Sequence, residues 1–138
     1  MDLKKPQERN KEIMPYKNIL LIDDDIDDAD FFREAVVLLQ KESSFRYETD
    51  PVKAFEELKI STKLPDLLFL DINMPRLNGL ELLLKIRDTK QLQHMEIILI
   101  SSPTEAVIRD LASTYEIERY MCKPNTFNEL VSQLQEIL

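Results

Sequence analysis

The sequence predicts a doubly wound α/β domain of the (βα)5 kind, a five-stranded parallel sheet with helices on both faces. Short apolar runs alternate with amphipathic stretches along most of the chain, which is the pattern of a parallel sheet covered by helices. The runs are continuous, as in Ile19-Leu20-Leu21-Ile22 and Leu67-Leu68-Phe69-Leu70. Such runs suit strands buried on both faces, unlike the alternating strands of a sheet with one wet face. A length of 138 residues fits a single domain.

Each element follows in order. Residues 1–15 are polar and non-periodic, read as a flexible tail, so the domain spans 16–138. The first strand is Asn18 to Ile22, followed by a helix with Phe32, Ala35, Val36 and Leu39 on one stripe. Phe45, Tyr47 and Thr49 alternate with polar residues, the mark of an edge or near-edge strand. Asp50 caps a second helix that starts at Pro51, a favoured place for proline, and turns Ala54, Phe55 and Leu58 inward. Leu67 to Leu70 is the third strand. Gly79, the only glycine, opens a third helix with Leu80, Leu83 and Leu84 inward. Ile97 to Ile100 is the fourth strand. Ser102-Pro103-Thr104-Glu105 reads as a capping box for a fourth helix that faces Val107, Ile108 and Leu111 inward. Tyr120 to Cys122 is a short fifth strand. A second capping box, Thr126 to Glu129, starts the last helix, with Phe127, Leu130, Val131, Leu134 and Leu138 on its stripe.

Composition excludes several function classes. Apolar residues make up 43% and charged residues 32%, which is ordinary for a globular protein and unlike a disordered one. A net charge of −8 repels phosphate backbones, so nucleic acid is not expected as a direct partner. No apolar run approaches the roughly 20 residues of a membrane helix, and the start of the chain lacks the apolar core of a secretory signal. The expected compartment is the cytoplasm. Cys122 is the only cysteine, so no internal disulfide can form.

Open α/β sheets bind ligands outside the carboxyl ends of their strands, and there the sequence gathers its chemistry. Strand one ends in Asp23-Asp24-Asp25, strand three in Asp71, strand four in Ser101-Ser102 and strand five in Lys123-Pro124. Carboxylates that converge resist ionising together unless a cation intervenes. Hard oxygen ligands at a partly open site suit Mg²⁺. A carboxylate is also a competent nucleophile that yields an aspartyl phosphate. Phosphoryl transfer needs cations and donors around the equatorial oxygens, and Mg²⁺, Lys123 and the Ser101 hydroxyl would supply them. Singly, the acids read as a solvated helix start, Asp71 as a turn residue and Lys123 as a surface lysine. Their joint placement on four strand ends points to Asp71 as a phosphoryl acceptor.

The run Leu70-Asp71-Ile72-Asn73-Met74-Pro75-Arg76-Leu77-Asn78-Gly79 matches D-x-x-M-P-x-x-[DN]-G after an apolar strand. With the acid pair after strand one, the serine after strand four and the Lys-Pro after strand five, the chain resembles a response regulator receiver domain of two-component signalling over roughly Asn18 to Leu138. The resemblance implies the flavodoxin-like receiver fold. It implies Asp71 as phosphoacceptor. It implies Mg²⁺ held by Asp24, Asp71 and the backbone carbonyl of Asn73, with Asp23 acting through a metal-bound water. Lys123 would pair with the phosphoryl group, the Ser101 hydroxyl would move to bond it, and Tyr120 would be the switch aromatic that turns inward. The donor would be a histidine kinase or phosphotransfer protein. The readout would pass through the helix 4, strand 5 and helix 5 surface to a downstream protein or to a second copy of the chain. The last helix runs to Leu138, so a stand-alone switch is expected and not an enzyme with a separate substrate. Asn73 and Pro103 stand where family side chains govern water's access to the phosphoryl group. Asn73 could orient an attacking water and Pro103 could not, which implies an intermediate lifetime. Arg119 departs from the glycine or small residue common before the switch aromatic, and Asp25 lengthens the first acidic cluster.

Overall fold

The computed structural model describes residues 16–39, 42–74, 78–102, 109–110, 113–114, 117 and 119–138. The strands are β1 (Asn18–Ile22), β2 (Ser44–Glu48), β3 (Leu67–Asp71), β4 (Ile97–Ser101) and β5 (Arg119–Cys122). They form one parallel sheet in the order β2-β1-β3-β4-β5. Helices α1 (Ile26–Leu38), α2 (Pro51–Ile60) and α3 (Gly79–Asp88) and a C-terminal helix (Phe127–Ile137) cover it, with one short 3₁₀ turn at Lys90–Leu92. The predicted fold class, strand count and edge position of β2 therefore stand.

Side chains alternate across a strand, and the continuous runs use both faces. Leu20, Ile22, Leu68, Leu70, Ile97 and Leu99 pack on one side with Ala54 and Leu58 of α2 and Leu82, Leu83 and Ile86 of α3. Ile19, Leu21, Leu67, Phe69, Ile98 and Ile100 pack on the other, beneath Phe32, Ala35 and Val36 of α1 and Leu130 and Leu134 of the C-terminal helix. At about 1.5–3 kcal/mol for each large apolar side chain removed from water, these two layers hold the strand ends in fixed register.

Helix starts follow the expected chemistry. Asp50 accepts from the N–H groups of Val52 and Lys53. Thr126 accepts from Glu129 N–H, while the Glu129 carboxylate reaches Asn125 N–H. One expectation fails: Leu84 is 38% exposed, while Leu82, Leu83 and Ile86 face the sheet. Gly79 is itself buried against the end of β3, and at 3.6 residues per turn that anchor turns positions 82, 83 and 86 inward and position 84 away. The predicted fourth helix, with its capping box and with Val107, Ile108 and Leu111, lies largely outside the described residues, although Arg109, Asp110, Ser113 and Thr114 are helical. Pro75, Arg76 and Leu77 and the 1–15 segment lie outside them too.

At the rim where the strands begin, the Tyr16 hydroxyl donates to the Glu96 carboxylate at 2.7 Å. Arg119 pairs with the same carboxylate oxygen at 3.1 Å and also donates to the Tyr16 hydroxyl. Tyr16, two residues before β1, is thereby tied to the starts of β4 and β5.

Candidate functional site

The sheet order sets β1 and β4 on either side of β3, with β5 beside β4. Asp71 is the last residue of β3 and pairs in register with Ile100, one residue short of Ser101. Ser101 in turn pairs with Cys122, one residue before Lys123. The four strand ends singled out by the sequence therefore meet at one rim.

Asp71 is 1% exposed and Asp23 is 4% exposed, while Asp24 is half-buried. One carboxylate oxygen from each of these three lies within 4.8 Å of the others. Burial pushes the Asp23 carboxyl up to about 7; the N–H of Asp25 and the Lys123 ammonium oppose this shift, and the Asp71 charge adds to it. Acids gathered this closely resist ionising together unless a cation stands among them.

Lys123 supplies one cation. Its ammonium lies 3.1 Å from Asp71 Oδ2 and 3.8 Å from Asp28 Oδ2. Burial alone would lower the Lys123 pKa, but the close contact with the charge of Asp71 and the charges of Asp23 and Asp28 outweigh burial and raise it. The second partner, Asp28, was missed by sequence reasoning, which read it as part of a solvated helix start. Its position one turn into α1 was legible, but its reach to Lys123 depends on how α1 sits against the C-terminal helix.

The two oxygens of Asp71 differ. Oδ1 accepts from the Asn73 N–H at 2.8 Å. Oδ2 is fully enclosed and, among the described residues, has the ion pair with Lys123 but no hydrogen bond. A buried carboxylate oxygen normally takes several donors or a metal. This under-satisfied acceptor, beside two further carboxylates, offers the oxygen ligands that a hard divalent cation such as Mg²⁺ prefers.

Asp25, whose role the sequence left open, is exposed and stands outside that cluster. Its carboxylate caps α1 by accepting from Asp27 and Asp28 N–H at 2.9 and 3.2 Å, and its own N–H donates to Asp23 Oδ1 at 3.0 Å. It thus orients an acid of the cluster without joining it.

The Ser101 hydroxyl is buried and donates to the Ser102 carbonyl at 2.7 Å, turned onto its own loop. Tyr120 is half-buried and packs against the core layer beneath α2 and α3. The Asn73 side chain, which the sequence makes a candidate for orienting water, reaches the residue after β4 through its oxygen. That oxygen accepts from both the N–H (2.9 Å) and the hydroxyl (3.1 Å) of Ser102.

Gly79 has a steric role that the sequence pattern did not explain. A Cβ there would fall 2.4 Å from the carbonyl oxygen of Asp71 and 2.4 Å from Ile72 Cα. Only a residue without a side chain lets α3 start against the backbone that carries Asp71.

Comparison with known proteins agrees with this geometry. A family model described as the response regulator receiver domain matches residues 19–135. The protein RcaC of Microchaete diplosiphon is 31% identical over 118 residues, covering 84% of this chain; the chain spans only 17% of that relative's length. The phosphorylated cyanobacterial phytochrome response regulator RcpA superposes with a TM-score of 0.78 at 21% identity, covering 88% of this chain and 91% of that one. The Mn²⁺-bound response regulator Rcp1 superposes with a TM-score of 0.77, also at 21% identity, over the same shares of the two chains.

Proposed function

This chain belongs to the response regulator receiver domain family of two-component signalling, and from that premise we propose that it is a phosphorylation switch whose acceptor is Asp71. The observation that carries the proposal is the buried Asp71 carboxylate set between Lys123 and the acids Asp23 and Asp24, with one oxygen lacking a hydrogen bond. A histidine kinase or phosphotransfer protein of the cytoplasm would supply the phosphoryl group. An Asp71 oxygen attacks phosphorus, the bond from phosphorus to the donor's histidine nitrogen breaks, and that nitrogen leaves with the electron pair and regains a proton.

Asp24, Asp71 and the Asn73 carbonyl would hold Mg²⁺, with Asp23 acting through a bound water. When bound, the ion supplies positive charge to the transferring oxygens. The response regulator Rcp1, which shares the fold, is Mn²⁺-bound, which supports a divalent cation here. Lys123, already beside Asp71, neutralises a further oxygen of the transferring group. Attachment replaces a single charge by roughly −2 and adds strong acceptors. The Ser101 hydroxyl then leaves the Ser102 carbonyl for a phosphoryl oxygen, and Tyr120 moves into the space this opens. The β5 surface with its flanking helices presents the change to a downstream protein or a second copy of the chain.

The test is incubation with a small phosphodonor and Mg²⁺. Intact-mass measurement should find a single acyl phosphate, cleaved by hydroxylamine, and absent in Asp71→Asn. An adduct that persists in Asp71→Asn, or none in the wild type, rejects the assignment.

A further inference from the structure

Three hydrogen bonds link the reacting carboxylate to the residue that follows Ser101, and all run through Asn73. Its backbone N–H donates to Asp71 Oδ1 at 2.8 Å. Its side-chain oxygen takes both donors of Ser102, the N–H at 2.9 Å and the hydroxyl at 3.1 Å. The N–H of Ser102 belongs to the peptide plane that also contains the Ser101 carbonyl. That carbonyl accepts from Lys123 N–H at 2.7 Å. The plane between Ser101 and Ser102 is therefore gripped on one edge from β5 and on the other from the loop after β3. Within this grip the Ser101 hydroxyl has turned to the Ser102 carbonyl at 2.7 Å and makes no hydrogen bond to Asp71.

We propose that the Asn73 side chain is a positioning residue, a latch on Ser102 that keeps the Ser101 hydroxyl turned away until Asp71 carries a phosphoryl group. The inference rests on the phosphoacceptor reading above and adds its regulation. The Ser101 hydroxyl is held outward by the Ser102 carbonyl, and the grip of Asn73 on Ser102 keeps that carbonyl where the hydroxyl reaches it. Asn73 also senses the trigger. Oδ1 of Asp71 is its hydrogen-bond partner, so a change in charge on that carboxylate acts directly on the backbone from which the latching amide projects. The latch makes the resting state the favoured one, and its strength sets how often the unmodified protein samples the active arrangement.

The experiment is NMR of the full chain with Mg²⁺, before and after treatment with phosphoramidate, in parallel with intact mass. The variants are Asn73→Ala, which keeps the backbone N–H and carbonyl, Ser102→Ala, which removes one of the two bonds, and Ser102→Thr, which restores both. Expected for unmodified Asn73→Ala are Ser101 amide and Tyr120 ring signals displaced toward their phosphorylated wild-type positions, with about a tenfold gain in the active population, as losing two modest hydrogen bonds implies. Ser102→Ala should move part of the way and Ser102→Thr should match the wild type. A general loosening of the loop would broaden these signals without moving them along that line, and would overturn the latch. Normal acyl phosphate yields with unmoved signals in Asn73→Ala would overturn it as well and leave the acceptor reading standing. No acyl phosphate in the wild type would bring down both.

Discussion

Asp23 is a buried acid whose proton is held well above the usual carboxylate range. Burial and the neighbouring Asp71 leave its carboxyl protonated up to about 7, against 3.8 in an unstructured chain. The sign of the consequence follows directly. Between those two values the unfolded chain has released the proton and the folded chain still holds it. The Asp23 contribution to stability is therefore full below 3.8 and is lost as pH rises through about 7. A divalent cation needs the ionised form, so its affinity should move the opposite way. Mg²⁺ titrations followed by NMR or calorimetry should show affinity rising by up to about tenfold per pH unit below neutrality, then levelling. In Asp23→Asn that dependence should flatten. An unchanged slope in the variant would place the titrating group elsewhere.

At the scale of elements, α3 is fixed by a contact that no periodicity announces. Gly79→Ala puts a methyl group 2.4 Å from the Asp71 carbonyl and from Ile72 Cα, neither of which is a flexible tip that can swing aside. The variant should lose about 1–3 kcal/mol in urea denaturation and its acyl phosphate yield should fall, because the displaced loop carries both Asp71 and Asn73. The same contact explains what the sequence could and could not disclose. Strands were legible because Leu67 to Leu70 and Ile97 to Ile100 are apolar without interruption, and only strands covered on both faces need that. The caps at Asp50 and Thr126 were legible because the donors lie within the next turn. The inward face of α3 was misjudged at Leu84 because its rotation is set by Gly79 pressing on β3, a contact between segments. The strand-end acids, Ser101 and Lys123 were legible from their order alone. The Lys123 pairing with Asp28 and the Ser102 donation to Asn73 were not, since each depends on distances between side chains far apart in the chain.

For the molecule as a whole, the order β2-β1-β3-β4-β5 brings Asp23 and Asp24 alongside Asp71, and the two apolar layers hold them there at a cost in repulsion. Phe69 lies in the layer under α1, fully buried, and meets the Phe32 ring at a centroid distance of 4.8 Å. Phe69→Ala should cost about 3–5 kcal/mol, read as a lower urea midpoint. Relief of the repulsion should be global too. Mg²⁺ at about a hundred times its dissociation constant adds about 2.7 kcal/mol to the folded state, so the melting temperature should climb by several degrees with the ion and by far less in Asp24→Asn. The clasp of Tyr16 by Glu96 and Arg119 has a practical corollary. It fixes where the backbone enters β1, on the opposite rim from Asp71, a strand's length of roughly 15 Å away. A fluorophore, affinity handle or surface tether joined upstream of Tyr16 starts from the far side of the sheet, which makes that end the natural attachment point for immobilised assays of phosphotransfer.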